Sequence, residues 1–330
     1  MGQAGGVGRT GRRARDRERK EATMYVARTV LQLLVFPGFL FAAVMGLVTS
    51  WVDRFVTARV QMRAGPPFLQ PFYDIAKLMI KETCVPQGGA RTLFLSAPLL
   101  GLAGATLASV LLWRGLLGMT DRFHGDLIVL LYLLTMPALA VVLGSFASRN
   151  PLASIGGSRE MKLILAYELP LVLAVLVPVI QAHSIRIGDL AVRPAVCEVS
   201  GVLALLVAVL CMQAKLTLVP FDAPEAETEL SGGAYIEYSG PPLAAFKLTR
   251  AVMLFTMPMF LVAVFCGGFD LGRGWTGILT GALKYLGLVV ITVLVRNTAP
   301  RVRIDQAVRF FWGPVTLAAL AADGLALLKW

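Results

Sequence analysis

The chain has 330 residues, of which 57% are hydrophobic and only 15% charged. A soluble domain is about a quarter charged and under half apolar, so this composition excludes an ordinary water-soluble protein and points to an integral membrane one. The net charge is +11, and where arginine and lysine fall in segments between apolar runs they orient the chain in a bilayer.

Residues 1–23 are a Gly-rich stretch followed by the basic run Arg12-Arg13-Ala14-Arg15-Asp16-Arg17-Glu18-Arg19-Lys20. With no apolar face, this tail is expected to be disordered, and residues 24–330 to form a single membrane domain. A bilayer core of about 30 Å takes roughly 20 apolar residues, and eight runs qualify: 29–52, 92–113, 127–146, 161–181, 199–219, 243–266, 275–295 and 313–328. No strand-like alternation competes with them, so the expected fold is all-α, a polytopic helical bundle in contact with the lipid.

Between the first two runs, Phe72, Ile75, Leu78 and Met79 recur at helical spacing, with Asp74, Lys77 and Lys81 assigned to the opposite face. That pattern predicts an amphipathic helix of about three turns lying at the membrane interface or against a partner. Arginine and lysine concentrate in the segments 53–91, 147–160 and 296–312. These segments and 220–242 are therefore expected on the cytoplasmic side, with the N-terminus outside. The basic tail opposes that orientation, which suggests that it is dispensable and that translation starts at Met24.

Several side chains are out of place in a hydrocarbon phase. Glu168, followed by Pro170, falls inside the fourth run. A carboxylate there costs about 2.5–3.5 kcal/mol on insertion scales, and a buried acid that exchanges protons is the expected use. Glu168→Gln is then expected to leave assembly intact while weakening proton movement. Lys247 and Arg250 open the sixth run, either reaching to the interface or pairing with loop acids. Lys284 lies within the seventh run and Asp323 within the eighth; the two are candidates to pair. Between the fifth and sixth runs lies the most unusual stretch, Val219-Pro220-Phe221-Asp222-Ala223-Pro224-Glu225-Ala226-Glu227-Thr228-Glu229-Leu230, followed by Tyr235-Ile236-Glu237-Tyr238-Ser239-Gly240. So many acids at a membrane mouth suit proton uptake or coupling to a docked redox partner; a solvated loop is the alternative. Cys84, Cys197, Cys211 and Cys266 form no CxxC pair, and His124 and His183 stand alone, so no redox centre is expected in this chain.

Four blocks carry a resemblance. They are Arg63-Ala64-Gly65-Pro66 through Leu69-Gln70-Pro71 and Asp74-Ile75-Ala76-Lys77-Leu78 to Lys81-Glu82; Gly144-Ser145-Phe146-Ala147-Ser148-Arg149-Asn150 onward to Tyr167-Glu168; the acidic loop; and Pro300-Arg301-Val302-Arg303-Ile304-Asp305-Gln306. Together they resemble the subunit-1 family of NADH:quinone oxidoreductase (complex I) and its relatives in membrane-bound nickel–iron hydrogenases. The basic residues Lys247 and Arg250, and the run Ile304 to Trp312, look more like the hydrogenase and formate-hydrogenlyase branch. The resemblance implies a membrane subunit of the inner (cytoplasmic) membrane that couples a peripheral redox module to proton movement. Its implied partners are hydrogenase-like large and small subunits carrying the nickel–iron centre and iron–sulfur clusters, together with antiporter-like membrane subunits; no nucleic acid is implied. It assigns Glu168, Glu225, Glu227 and Glu229 to a proton path, and Arg63, Asp74, Glu82, Asp222, Glu237, Arg303 and Asp305 to the junction with the peripheral subunits. The quinone-facing subunit of complex I is the runner-up; a passive scaffold and a secondary transporter are the readings from other classes.

Overall fold

A computed structural model of the chain describes residues 24, 29–118, 126–225, 227–269 and 274–328, with the side chains of Glu227 and Thr228 outside that description. The basic tail of residues 1–23 also lies outside the described residues. Among those described there is no strand, and the long helices are α1 (Phe39–Val60), α2 (Gln70–Ile80), α3 (Arg91–Leu116), α4 (Asp126–Ala147), α5 (Pro151–Ala182), α6 (Val199–Lys215), α7 (Gly240–Phe265), α8 (Trp275–Thr298) and α9 (Ile304–Leu327). The protein is an all-α, multi-pass membrane bundle. Seven helices are long and apolar enough to cross a bilayer, or eight if the bent pair Ile187–Cys197 plus Val199–Lys215 counts as one span.

The helix of the expected span 199–219 is shorter than the apolar run. It stops at Lys215, and a 108° bend separates it from the preceding short helical segment. At about 1.5 Å per residue, 17 residues rise only about 26 Å, just short of the hydrocarbon core. The last span begins earlier than expected, at Ile304, and passes through a π-helical turn at Phe311–Val315. There the Thr316 hydroxyl donates to the Phe311 carbonyl at 2.6 Å, five residues back. Pro170 lies inside α5, which is continuous through it.

α7 organises the packing. Every residue from Ala251 to Phe265 is buried, as expected of a helix that is apolar all round and enclosed by protein. α1, α3, α6 and α8 pack around it, α4 lies against α3, and α5 against α4, α6 and α9. The outward faces of α8 and α9 carry Leu279, Leu283, Trp312 and Leu317, all largely exposed in the isolated chain. Such a surface suits lipid or a neighbouring membrane protein.

The amphipathic helix forms as expected, but Asp74 is not on its outer face. It turns inward, accepting hydrogen bonds from Arg54 at 2.8 Å and Gln70 at 3.0 Å, while Met79 and Ile80 point outward. An available guanidinium outweighs the simple face pattern. Lys284 and Asp323 do not pair either: the lysine ammonium donates to the Cys266 carbonyl at 2.7 Å, at the end of α7. Segments 53–91 and 220–242 share one side of the bundle, because the Ser239 hydroxyl accepts from the Cys84 amide at 3.1 Å and donates to the Glu82 carbonyl at 3.2 Å.

α1 and α7 touch backbone to backbone at Gly46, where an added Cβ would sit 2.7 Å from the Ala251 carbonyl. Gly46→Val should therefore strain the helix pair by about 1–3 kcal/mol and lower the thermal midpoint of the detergent-purified protein. Gly287 on α8 has open space around it, so Gly287→Val should leave the midpoint unchanged. Equal midpoints for the two variants would contradict this packing.

Candidate functional site: a charged axis through linked cavities

The acidic segment is not a solvated loop. Leu218, Phe221, Ala223, Leu230, Ala234 and Tyr238 are all buried, and they staple it to the end of the bundle. Phe221 packs on Phe311 with ring centroids 4.8 Å apart. Tyr238 stacks on Phe94 at 4.1 Å, and its hydroxyl donates to the Phe94 carbonyl at 3.0 Å. Gly233 has φ +52°, and a Cβ there would lie 2.0 Å from the Pro224 carbonyl oxygen, so this turn requires glycine. The apolar anchors fix the backbone, and the acids between them are delivered to defined partners.

Three neighbouring cavities share walls. The outermost, of about 370 Å³, is walled by Arg63, Gly65, Asp53, Arg54 and Arg296. It shares Asp53, Arg54 and Arg296 with a second of about 350 Å³, which adds Asp74, Lys247, Arg250 and Glu225. The third, about 50 Å³, shares Arg250 and Glu225 and adds Glu160, Lys215, Thr217 and Tyr235. Ion pairs punctuate the series. Arg54 holds Asp74 at 2.8 Å and Arg296 holds Asp53 at 2.7 Å. Deeper in, Arg250 binds Glu225 and also donates to the Thr217 carbonyl at 3.3 Å. Lys215 holds Glu168 at 2.9 Å, at the innermost end.

The sequence-predicted residues divide accordingly. Glu168, Glu225, Asp74 and Arg63 belong to this axis. Glu229, Asp222, Arg303 and Asp305 belong to a separate cluster at the rim, where Arg159 binds Glu229 at 2.7 Å and Arg301 lies 2.9 Å from Asp222. Arg159, Arg301, Arg303, Glu229 and Asp305 line one recess there. Glu237 is elsewhere again, accepting from the Asn150 amide, and the Glu82 side chain is exposed. Only the backbone of Glu227 is described, in the short helix Glu227–Leu230.

The electrostatics follow from these partners. Burial alone would raise the Asp74 carboxyl, but hydrogen bonds from Arg54 and Gln70 together with the Arg54 charge bring it below its ordinary value. At the rim, burial pushes Asp222 up against the opposing charge of Arg301. Arg159, by hydrogen bond and charge, holds exposed Glu229 below the usual carboxylate range.

Sequence reading missed Glu160, Lys215, Asp53 and the placement of Arg296. Glu160 is only 2% exposed, and its Oε2 has no hydrogen-bond partner among the described residues. The Lys215 side chain is fully enclosed and its ammonium lies 5.2 Å from the Tyr167 ring centroid. The available signal was positional: each of these charges falls at the edge of an apolar run, and helix α5 begins ten residues before the run that suggested it.

The Lys215–Glu168 pair adds a stability cost to Glu168→Gln, since the variant would leave a buried ammonium without its counter-charge. Stranding a buried charge costs about 3–5 kcal/mol, so Glu168→Gln should lower complex stability by that order, and Lys215→Ala should cost less because the Glu168 side chain is 28% exposed. The charge-neutral double variant Lys215→Met/Glu168→Gln should recover most of it. Additive losses in thermal unfolding of the four proteins would contradict the pairing.

The Arg54–Asp74 link is pH-sensitive in a stated direction. Because the folded carboxyl lies below its ordinary value of 3.8, the link is intact above that value and lost as pH falls through the lowered one. Cysteine labelling of α2 against pH should therefore show release only in strong acid. In Arg54→Gln, the Gln70 hydrogen bond and the Lys247 charge remain but both contributions of Arg54 are gone, so the transition should move to higher pH; an unmoved transition would contradict the assignment.

Comparison with known proteins agrees with the geometry. A sequence model of the NADH dehydrogenase family matches residues 31–325. The chain is 34% identical over 294 residues to the NADH-quinone oxidoreductase H subunit of Geobacillus kaustophilus, covering 83% of this chain and 87% of that protein. It is 33% identical over 317 residues to the corresponding protein of Brevibacillus brevis, covering 88% and 91%. Among solved structures, a chain of the membrane-bound sulfane sulfur reductase, an archaeal respiratory membrane complex, superposes with a TM-score of 0.81 at 26% identity, covering 90% of this chain and 99% of that one. With a match across nearly the whole bundle, this chain belongs to the NADH dehydrogenase family that includes the NADH-quinone oxidoreductase H subunit.

Proposed function

We propose that this chain is the membrane-anchoring and coupling subunit of a respiratory oxidoreductase complex of the inner (cytoplasmic) membrane, and that it links electron transfer in peripheral hydrogenase-like subunits to proton movement. The observation that carries this reading is the axis itself. Cavities walled by carboxylates and cations run from the 53–91 junction to Lys215, whose ammonium binds Glu168 of α5. Charges are tolerated inside a membrane protein where they line hydrated paths, and such residues mark ion or proton routes. The electrons would stay in the partners: large and small subunits with a nickel–iron centre and iron–sulfur clusters, alongside antiporter-like membrane subunits.

Two features favour the hydrogenase-like branch. Lys247 and Arg250 both face the middle cavity, crowding with cations a space that an apolar ligand would need. The archaeal respiratory complex noted above, a membrane-bound sulfane sulfur reductase, supplies a similar chain outside the NADH-quinone oxidoreductases. The names of the bacterial relatives favour the second reading, the quinone-facing subunit of NADH:quinone oxidoreductase.

Purification of the intact complex from native membranes decides between them: hydrogenase-like subunits support the first reading and NADH-oxidising subunits the second. Coupling is tested in inverted vesicles with the Lys215→Met/Glu168→Gln variant. It should assemble and accept electrons normally, yet lose about 10²-fold in redox-driven proton uptake, the scale of a lost proton-transfer group. Normal uptake in the assembled variant would contradict the coupling role.

A further inference from the structure

The carboxylates that sequence reading assigned to the deep proton path are already engaged: Glu225 by Arg250 and Glu168 by Lys215. Glu160 is the exception. It is almost wholly enclosed, its Oε2 is unpartnered among the described residues, and it lines the innermost cavity with Lys215, Glu225, Arg250 and Tyr235. A carboxyl enclosed beside Glu225 with no partner on Oε2 is placed to carry a proton. The cavity, about 50 Å³, exceeds the roughly 10–15 Å³ a water requires. Lys215 lines this same cavity while its ammonium rests on Glu168. Its four-carbon stem is flexible and its three donors rotate freely, so one lysine has two carboxyl groups within its neighbourhood and is bonded to only one.

We propose that Glu160 is the alternate partner of Lys215, so that the two carboxyls exchange one proton and one ammonium between them. In the state seen here, Glu160 holds the proton and Lys215 is paired with Glu168. In the other, the O–H bond at Glu160 has broken, the proton has passed by way of the cavity and the space beside Lys215 to Glu168, which lies just beyond the cavity lining, and the ammonium has moved across to Glu160. One O–H bond is lost and one formed, and the charge of the three groups together is the same in both states. That neutrality keeps the exchange feasible in a low dielectric. The groups facing it are Glu168 and Tyr167 on α5, Cys211 on α6, Arg250 on α7, and Glu225 and Tyr235 from the loop. The Arg250–Glu225 pair separates the exchange from the outer cavities. This rests on the coupling reading and adds the residue and the motion by which a proton would pass the innermost ion pair.

The test is infrared difference spectroscopy of the whole purified complex, with proton uptake followed in vesicles. The oxidised wild type should show a buried protonated-carboxyl band that is absent from Glu160→Gln and retained in Lys215→Met/Glu168→Gln. Glu160→Gln should accept electrons normally while proton uptake falls about 10²-fold, and Glu160→Asp should restore part of it. Survival of the band in Glu160→Gln, or full uptake by that variant, overturns the proposal. If Glu160→Gln does not assemble, Glu160→Asp decides: the band should shift in frequency, and an unmoved band overturns the assignment. A wild type that takes up no protons would refute the coupling reading, whereas the exchange would still stand or fall on whether the band moves from Glu160 to Glu168 on reduction.

Discussion

A charge removed from water must find a partner, and the rest of this structure is arranged around that constraint. The effective desolvation penalty is several kcal/mol per ion, larger than most single packing contributions. It explains why Asp74 turns inward to Arg54, why Asp53 meets Arg296, and why the end of α6 delivers Lys215 to Glu168. It also explains why the acidic segment is so heavily anchored. Phe221 and Tyr238 bury their rings so that Glu225 can be held against Arg250 with little freedom to drift. Apolar packing sets the backbone, and the backbone brings opposite charges together.

The same constraint makes the axis suited to coupling. Its ion pairs alternate cation and carboxylate, and adjacent cavities share those residues as common walls. A shift of charge at the outer end changes the balance for the next pair inward, because low dielectric strengthens each interaction. The rim cluster of Arg159, Arg301, Arg303, Glu229 and Asp305 is a different kind of surface. Its recess shares no residue with the three cavities of the axis, and its mixed charges suit specific docking.

Much of the fold was legible in the sequence because hydrophobic length is a strong signal: a bilayer requires long apolar helices, and the runs display them. The amphipathic helix was equally plain from its period. The end of α6 was not legible because hydropathy continues through Leu216, Leu218 and Val219 after the helix has ended at Lys215, and an apolar residue can serve a buried turn as well as a span. Within the site, Glu168 and Glu225 stood out as acids beside apolar sequence. Lys215 and Glu160 did not, since each lies at the margin of a run, where a surface position is the ordinary expectation. Only the tertiary arrangement, with the loop folded down over those margins, makes them interior. Asp74 failed for a related reason: a face pattern records which residues are apolar, not where an arginine from α1 waits.

The central claim is that electron transfer outside the membrane changes the proton occupancy of this axis within it. The most direct measurement is a single reduction of the peripheral redox centre in the wild-type complex in weakly buffered inverted vesicles, with a pH-indicating dye read on the same time base. The account predicts proton uptake that accompanies reduction and reverses on reoxidation. Reduction and reoxidation with no accompanying change in proton binding would contradict it.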